Sequence, residues 1–172
     1  VTSFGTSPSP LVAVLVGTDH HPFDRLVDWV ATLAAAGSTR WFVQHGTTAL
    51  PAGVDGAPIL SPDALQDLLV RADAVVCHGG PGLIMEARSL GHRPIVVARD
   101  PARGEHVDDH QQRFLAFLGP RGLVTPAGSL RELDEAVRTA VATDDRQLLA
   151  ATAGAAASAR FGDLVDLLLQ RS

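Results

Sequence analysis

The sequence predicts an α/β fold, a mostly parallel sheet with helices on both faces. Three observations carry the prediction. Short apolar runs such as Leu11–Val16 and Ala74–Cys77 are continuous rather than alternating, as in strands buried on both faces. They alternate with amphipathic stretches of helical period, the rhythm of right-handed βαβ units. Several apolar runs end in loops rich in glycine, histidine and threonine, and in such sheets ligands bind beyond the carboxyl ends of the strands.

Taken in order, Leu11–Val16 is the first strand, ending at Gly17-Thr18. After Asp19-His20-His21-Pro22, the residues Phe23, Leu26, Val27, Val30, Leu33 and Ala34 recur at helical spacing and stop at Gly37. Arg40–Gln44 is a second strand, followed by His45-Gly46-Thr47-Thr48. Ala57–Leu60 is expected as a short third strand. Ser61-Pro62-Asp63 starts a helix, with a serine cap and proline in the first turn, that ends near Arg71. Ala74–Cys77 is a strand, and the helix after it runs to Leu90 before Gly91. Pro94–Ala98 is the next strand. Arg99–His110 is polar and long enough to be a functional loop. Gln111–Leu118 reads as helix and Gly122–Thr125 as a last strand. Ser129 caps a helix through Ala142, with Glu132 completing a capping box. Asp144–Ala159 and Phe161–Gln170 are expected as helices, the second amphipathic.

The chain has 172 residues, 46% apolar and 19% charged, as expected of one globular domain. Residues 1–10 read as a flexible lead-in and 11–172 as a single domain. The lead-in lacks the charged and apolar segments of a signal peptide. A net charge of −5 gives no reason to expect a nucleic-acid partner. The single cysteine, Cys77, excludes an intrachain disulfide and a cysteine-rich zinc site, and fits a reducing compartment. No apolar run reaches the ~18 residues of a membrane span.

The stretch from Val75 to Glu86, Val-Val-Cys-His-Gly-Gly-Pro-Gly-Leu-Ile-Met-Glu, is the centre of the chemistry. A strand ends in His78, three glycines and a proline follow, and a helix begins with Glu86 about one turn in. Open amides and the positive helix end suit a diphosphate, and glycine permits close approach. No Gly-x-Gly-x-x-Gly follows the first strand, which disfavours a dinucleotide-dependent dehydrogenase.

The segment His78–Glu86 resembles the donor-binding motif of glycosyltransferases with the two-lobed GT-B fold. Gly91–Arg99 and Gly104–Gln111 are similar to the C-terminal domain of glycosyltransferase family 28. Val16-Gly-Thr18 followed by Pro22-Phe-Asp-Arg-Leu26 matches that family's single-domain members. These are catalytic subunits of bacterial exopolysaccharide transferases and of the transferase that adds the second N-acetylglucosamine to a dolichol-linked precursor. The resemblance covers roughly Leu11 to Ala140 and implies a Rossmann-like three-layer fold, the C-terminal lobe of GT-B.

It also implies roles. Gly17 and Thr18 would line the crevice floor. His78, Gly79, Gly80 and Gly82 would contact the donor's diphosphate. Glu86 would accept hydrogen bonds from ribose hydroxyls, since a carboxylate takes two at once. Asp109 and Gln111 align with positions that hold the transferred sugar. Leu83 departs from the pattern, since many relatives carry a small hydroxyl residue there.

The implied reaction moves a sugar, with inversion, from a nucleotide diphosphate (a UDP-sugar) to an acceptor hydroxyl, the activity of a hexosyltransferase in polysaccharide or glycan synthesis. Positioned amides stabilise the departing diphosphate. The stretch His106-Val-Asp-Asp-His110 has metal-ligand chemistry, but the resemblance accounts for the same residues without a metal, so neither metal nor cofactor is expected. Inverting transferases need a general base. In two-lobed relatives it belongs to the acceptor lobe, and in this chain His20 and Asp19 are the local candidates. The expected partner is a membrane-anchored, acceptor-binding subunit that presents a lipid-linked saccharide and holds this chain at the cytoplasmic membrane face. The stripe Phe161, Leu164, Val165, Leu168 and Leu169 could dock on it. A non-catalytic nucleotide-sugar-binding or accessory subunit is the alternative. An epimerase of two-lobed architecture is disfavoured because it carries both lobes in one chain.

Overall fold

The structure, a computed structural model, describes residues 9–143. Residues 1–8, the two helices expected after Asp144 and the apolar stripe from Phe161 to Leu169 lie outside them.

The elements are β1 (Leu11–Leu15), α1 (Asp24–Ala36), β2 (Arg40–Gln44), β3 (Asp55–Ala57), α2 (Pro62–Arg71) and β4 (Ala74–Cys77). Then come α3 (Pro81–Ser89), β5 (Ile95–Val96), α4 (His110–Leu118), β6 (Thr125–Pro126) and α5 (Leu130–Thr143). The strands form one sheet in the order β3-β2-β1-β4-β5-β6, and every neighbouring pair is parallel. The chain moves outward one way from β1 to β3, then crosses back to β4 beside β1. That reversal opens a crevice at the carboxyl ends of β1 and β4.

Strand periodicity divides the core into two. Val12 and Val14 of β1 pack with Leu26 and Val30 of α1 and Leu133 and Val137 of α5. Ala13 and Leu15 face the other way, onto Leu69 of α2, Ile84 and Ala87 of α3 and Leu118 of α4. Helices therefore cover both faces, as a Rossmann-like three-layer fold requires.

Two expectations are corrected here. The third strand is Asp55–Ala57 rather than Ala57–Leu60. Parallel pairing with Phe42–Gln44 fixes it, not β propensity, of which Asp-Gly-Ala has little. This releases Ile59 and Leu60 to line the crevice. The capping box of α5 is shifted at one end. Ser129 Oγ accepts from the Glu132 amide at 3.3 Å, but the Glu132 carboxylate reaches back to the Gly128 amide at 2.7 Å. At α2, Ser61 caps as expected, accepting from the Ala64 amide.

Candidate functional site

The crevice at the β1/β4 reversal has a volume of about 490 Å³. Gly17, Thr18 and Asp19 after β1, His78, Gly80 and Gly82 after β4, and His106, His110 and Gln111 after β5 all line it. His45–Thr48, after β2, does not.

The floor is fixed by amides. Gln44, 5% exposed at the end of β2, accepts from the Gly17 amide at 3.3 Å and donates to the Gly17 and Pro58 carbonyls at 3.1 and 2.8 Å. Gly17 has φ +88°, and a Cβ there would lie 2.6 Å from His78 Nε2. Only glycine lets the first loop pass under that ring.

His78 Nδ1 accepts from the Gly80 amide at 3.1 Å. The ring proton therefore sits on Nε2, the edge turned toward Gly17. Burial, reinforced by the Arg99 charge, pulls the His78 imidazole down to about 4, so it is neutral at physiological pH. The Gly79 amide donates to Gln111 Oε1 at 3.1 Å. The same oxygen accepts from the Arg99 amide at 3.2 Å, so Gln111, 3% exposed, ties the second loop to the third. The amides of Gly79 and Gly80 are thus engaged within the protein. At the start of α3, Pro81 has no N–H, and Ile84 donates to the Gly80 carbonyl. Helix geometry leaves the amides of Gly82 and Leu83 without an intrahelical acceptor, at the positive end of the dipole. Nothing lies within 4 Å of a Cβ built on Gly82. Glu86 lies one turn further, in register with Gly82 and Leu83 but outside the crevice lining.

Arg99 holds the loops together. It is 1% exposed, donates to the carbonyls of Val16 (2.9 Å), His21 (2.7 Å) and Glu105 (2.9 Å), and stacks over Phe23. The stretch Arg99–His110 is not a free loop. Glu105, 6% exposed, takes two hydrogen bonds from Arg25 of α1, at 2.9 and 2.8 Å. Sequence reasoning missed Arg99, Glu105 and Gln44. A polar residue within a strand end or an apolar-flanked loop was the available signal.

Of the two residues proposed for proton transfer, Asp19 lines the crevice and His20 does not. His20 is 81% exposed, with Nδ1 3.8 Å from Asp19 Oδ1. Its neighbour His21 makes the closer contact, with Nδ1 2.6 Å from Asp19 Oδ1 and its amide donating to the same oxygen at 2.7 Å. Burial alone would raise the Asp19 carboxyl, but these bonds, with the charges of His21 and Arg99, hold it down to about 2. It is a permanent anion and a weak base. Asp109 lies outside the crevice lining, paired with Arg113 at 3.0 Å one turn along α4. His106 and His110, on either side of it in sequence, line the crevice instead.

The sequence profile described as the glycosyltransferase family 28 C-terminal domain matches residues 60–168. No curated protein matches the chain by sequence. Solved structures share the fold. The calicheamicin glycosyltransferase CalG4 aligns at TM-score 0.52 and 20% identity, over 97% of this chain and 44% of its own. The chain thus spans less than half of that relative. The NMR structure of ALG13 aligns at TM-score 0.50 and 20% identity, over 79% of this chain and 87% of its own. A molybdenum cofactor binding protein of Rippkaea orientalis aligns at 0.54 and 15%, over 78% and 98%. At these identities the likenesses establish fold, and the site must argue for function.

Proposed function

The chain belongs to glycosyltransferase family 28 through its C-terminal domain, and from that membership we propose that it is the donor-binding catalytic subunit of an inverting hexosyltransferase. One observation carries the proposal. The crevice at the strand-order reversal places the open amides of Gly82 and Leu83, the α3 dipole and His78 around one space. A nucleotide diphosphate suits that chemistry and size class, and the family resemblance points to UDP.

In the proposed reaction the acceptor oxygen attacks the anomeric carbon as the bond to the diphosphate oxygen breaks, and the electron pair leaves with UDP. Negative charge grows on that oxygen. Amides and a helix terminus already in place stabilise it without reorganisation. His78 contributes a neutral N–H donor rather than a cation. Gly17 and Thr18 form the floor. Glu86 takes the ribose hydroxyls. Two backbone donors occupy the Gln111 carbonyl, which leaves its NH2 group for the sugar. Asp109 would reach a sugar only after releasing Arg113. His20 does not line the crevice, and Asp19 is too acidic to serve as base. The base and the lipid-linked saccharide then come with a membrane-anchored acceptor subunit, as the resemblance to exopolysaccharide transferases implies.

A second reading, a nucleotide-sugar-binding subunit without turnover, is favoured by Leu83, which offers the phosphates no hydroxyl, and by the engaged amides of Gly79 and Gly80. Calorimetric titration with UDP, GDP and their sugars tests both. UDP is expected to bind, with at least tenfold weaker binding in Glu86→Ala. Absence of nucleotide binding overturns both readings. Sugar transfer to a lipid-linked acceptor in the presence of the partner separates them.

A further inference from the structure

We propose that Arg99 is a positioning residue for the diphosphate: from behind the crevice floor its guanidinium supplies the fixed positive charge that the lining lacks. This deepens the proposed function and rests on it. Among the described residues that line the crevice there is no arginine or lysine. Asp19 lines it as a permanent anion, and His78 is neutral. The lining side chains therefore offer the phosphates no permanent cation.

Arg99 fills that gap without touching the ligand, since it is 1% exposed. Nη2 donates to the Val16 carbonyl at 2.9 Å, directly before Gly17. Nη1 donates to the carbonyl of His21 at 2.7 Å and to that of Glu105, directly before His106, at 2.9 Å. The Arg99 amide donates to Gln111 Oε1 at 3.2 Å. Gly17, His106 and Gln111, all part of the lining, are thus set from one residue.

Those bonds alone would make Arg99 a loop brace. The charge needs a further reason. Every acceptor on the guanidinium is a neutral carbonyl, and Nε is buried with no acceptor. Among the described residues Arg99 is in no contact ion pair. The Glu105 carboxylate is taken by Arg25 and the Asp100 amide, and Asp19 Oδ1 by His21. Burying an ion that no carboxylate touches is costly, and it leaves the field of that ion active at its neighbours. Arg25, by contrast, is matched by Glu105 in a two-bond contact.

The field reaches the crevice. Burial, then the Arg99 charge, lower the His78 imidazole. Burial pulls the Asp19 carboxyl up, and Arg99 joins the bonds and charge of His21 in overcoming that pull. Burial also lowers the Arg99 guanidinium, opposed by Asp19 and Glu105, but arginine stays protonated in proteins. An interior charge is screened little by salt and is in place before an anion arrives. Arg99 then attracts the phosphates while Asp19 repels them, and the uncharged nucleoside feels neither strongly.

The test titrates the full chain calorimetrically with UDP and with uridine, which has no phosphate. Arg99→Gln, with far-UV circular dichroism unchanged, is expected to weaken UDP binding at least about tenfold and uridine binding less than about twofold. Arg99→Lys keeps the charge but cannot span the carbonyls. It is expected to melt at lower temperature yet keep the preference for UDP over uridine. Asp19→Asn keeps the oxygen that accepts from His21 and is expected to strengthen UDP binding about threefold, leaving uridine unchanged. Equal weakening of both ligands in Arg99→Gln, loss of the preference in a folded Arg99→Lys, or unchanged or weaker UDP binding in Asp19→Asn overturns the proposal. If neither Arg99 variant folds, Asp19→Asn decides alone. Absence of UDP binding by the wild-type chain overturns the donor reading as well, so the two failures are distinguishable.

Discussion

At the residue scale, the crevice is shaped by side chains whose direction a sequence does not encode. His20 and His21 are adjacent, yet His21 Nδ1 meets the Asp19 carboxylate at 2.6 Å while the largely exposed His20 stays 3.8 Å away. Asp109 and His110 straddle the first turn of α4, so the point where the helix begins decides which of them enters the crevice. The place of His78 in the crevice was readable, from a strand-end histidine before glycines, but its protonation state was not. With its native pKa near 4 against about 6.5 unfolded, the unfolded state takes up the proton first as pH falls. Stability is therefore full above about pH 6.5 and is lost as pH drops toward 4, by at most about 1.4 kcal/mol per unit from this residue. Urea melts at several pH values, compared with His78→Gln, are expected to show that slope in the wild type alone. Gly17 and Gly82 separate packing from binding. Gly17→Ala drives a Cβ into His78 and is expected to cost about 1–3 kcal/mol. Gly82→Ala meets open space in a helix and is expected to leave the melting midpoint unchanged or raised, while weakening UDP binding.

At the element scale, the strands with continuous apolar runs were legible. β2 and β4 have the expected bounds, because burial on both faces writes itself into the sequence. β3 starts two residues and ends three residues before the expected strand, because an edge strand takes its register from its neighbour. The polar stretch after β5 was legible as a long connection but not as an anchored one, since its tether lies 80 residues away in α1. Removing one member of a buried ion pair leaves the other uncompensated. Glu105→Ala is expected to lower unfolding free energy by about 3 kcal/mol, and to loosen the His106–Gln111 face. Thermal melts and hydrogen exchange of the Asp100 amide, which donates to Glu105 at 2.8 Å, check this.

At the scale of the whole molecule, alternation of strand and helix gave the layered fold, and the order β3-β2-β1-β4-β5-β6 gave the location of the crevice. The pairing order itself is not written in any local pattern; it follows from which buried runs end up central. Among the described residues no helix is long and apolar enough to cross a membrane. In the proposed function, attachment to a membrane is assigned to a partner that carries the acceptor. The same fold also serves a molybdenum cofactor binding protein, so the architecture supplies the crevice and the residues in it supply the chemistry.

The most direct test of the donor site is amide-resolved NMR of the chain titrated with UDP. The predicted result is saturable shifts concentrated at Gly82 and Leu83, with smaller ones at Gly17 and in the His78 ring. Saturable shifts that leave the start of α3 untouched, or no shifts at millimolar UDP, would contradict it.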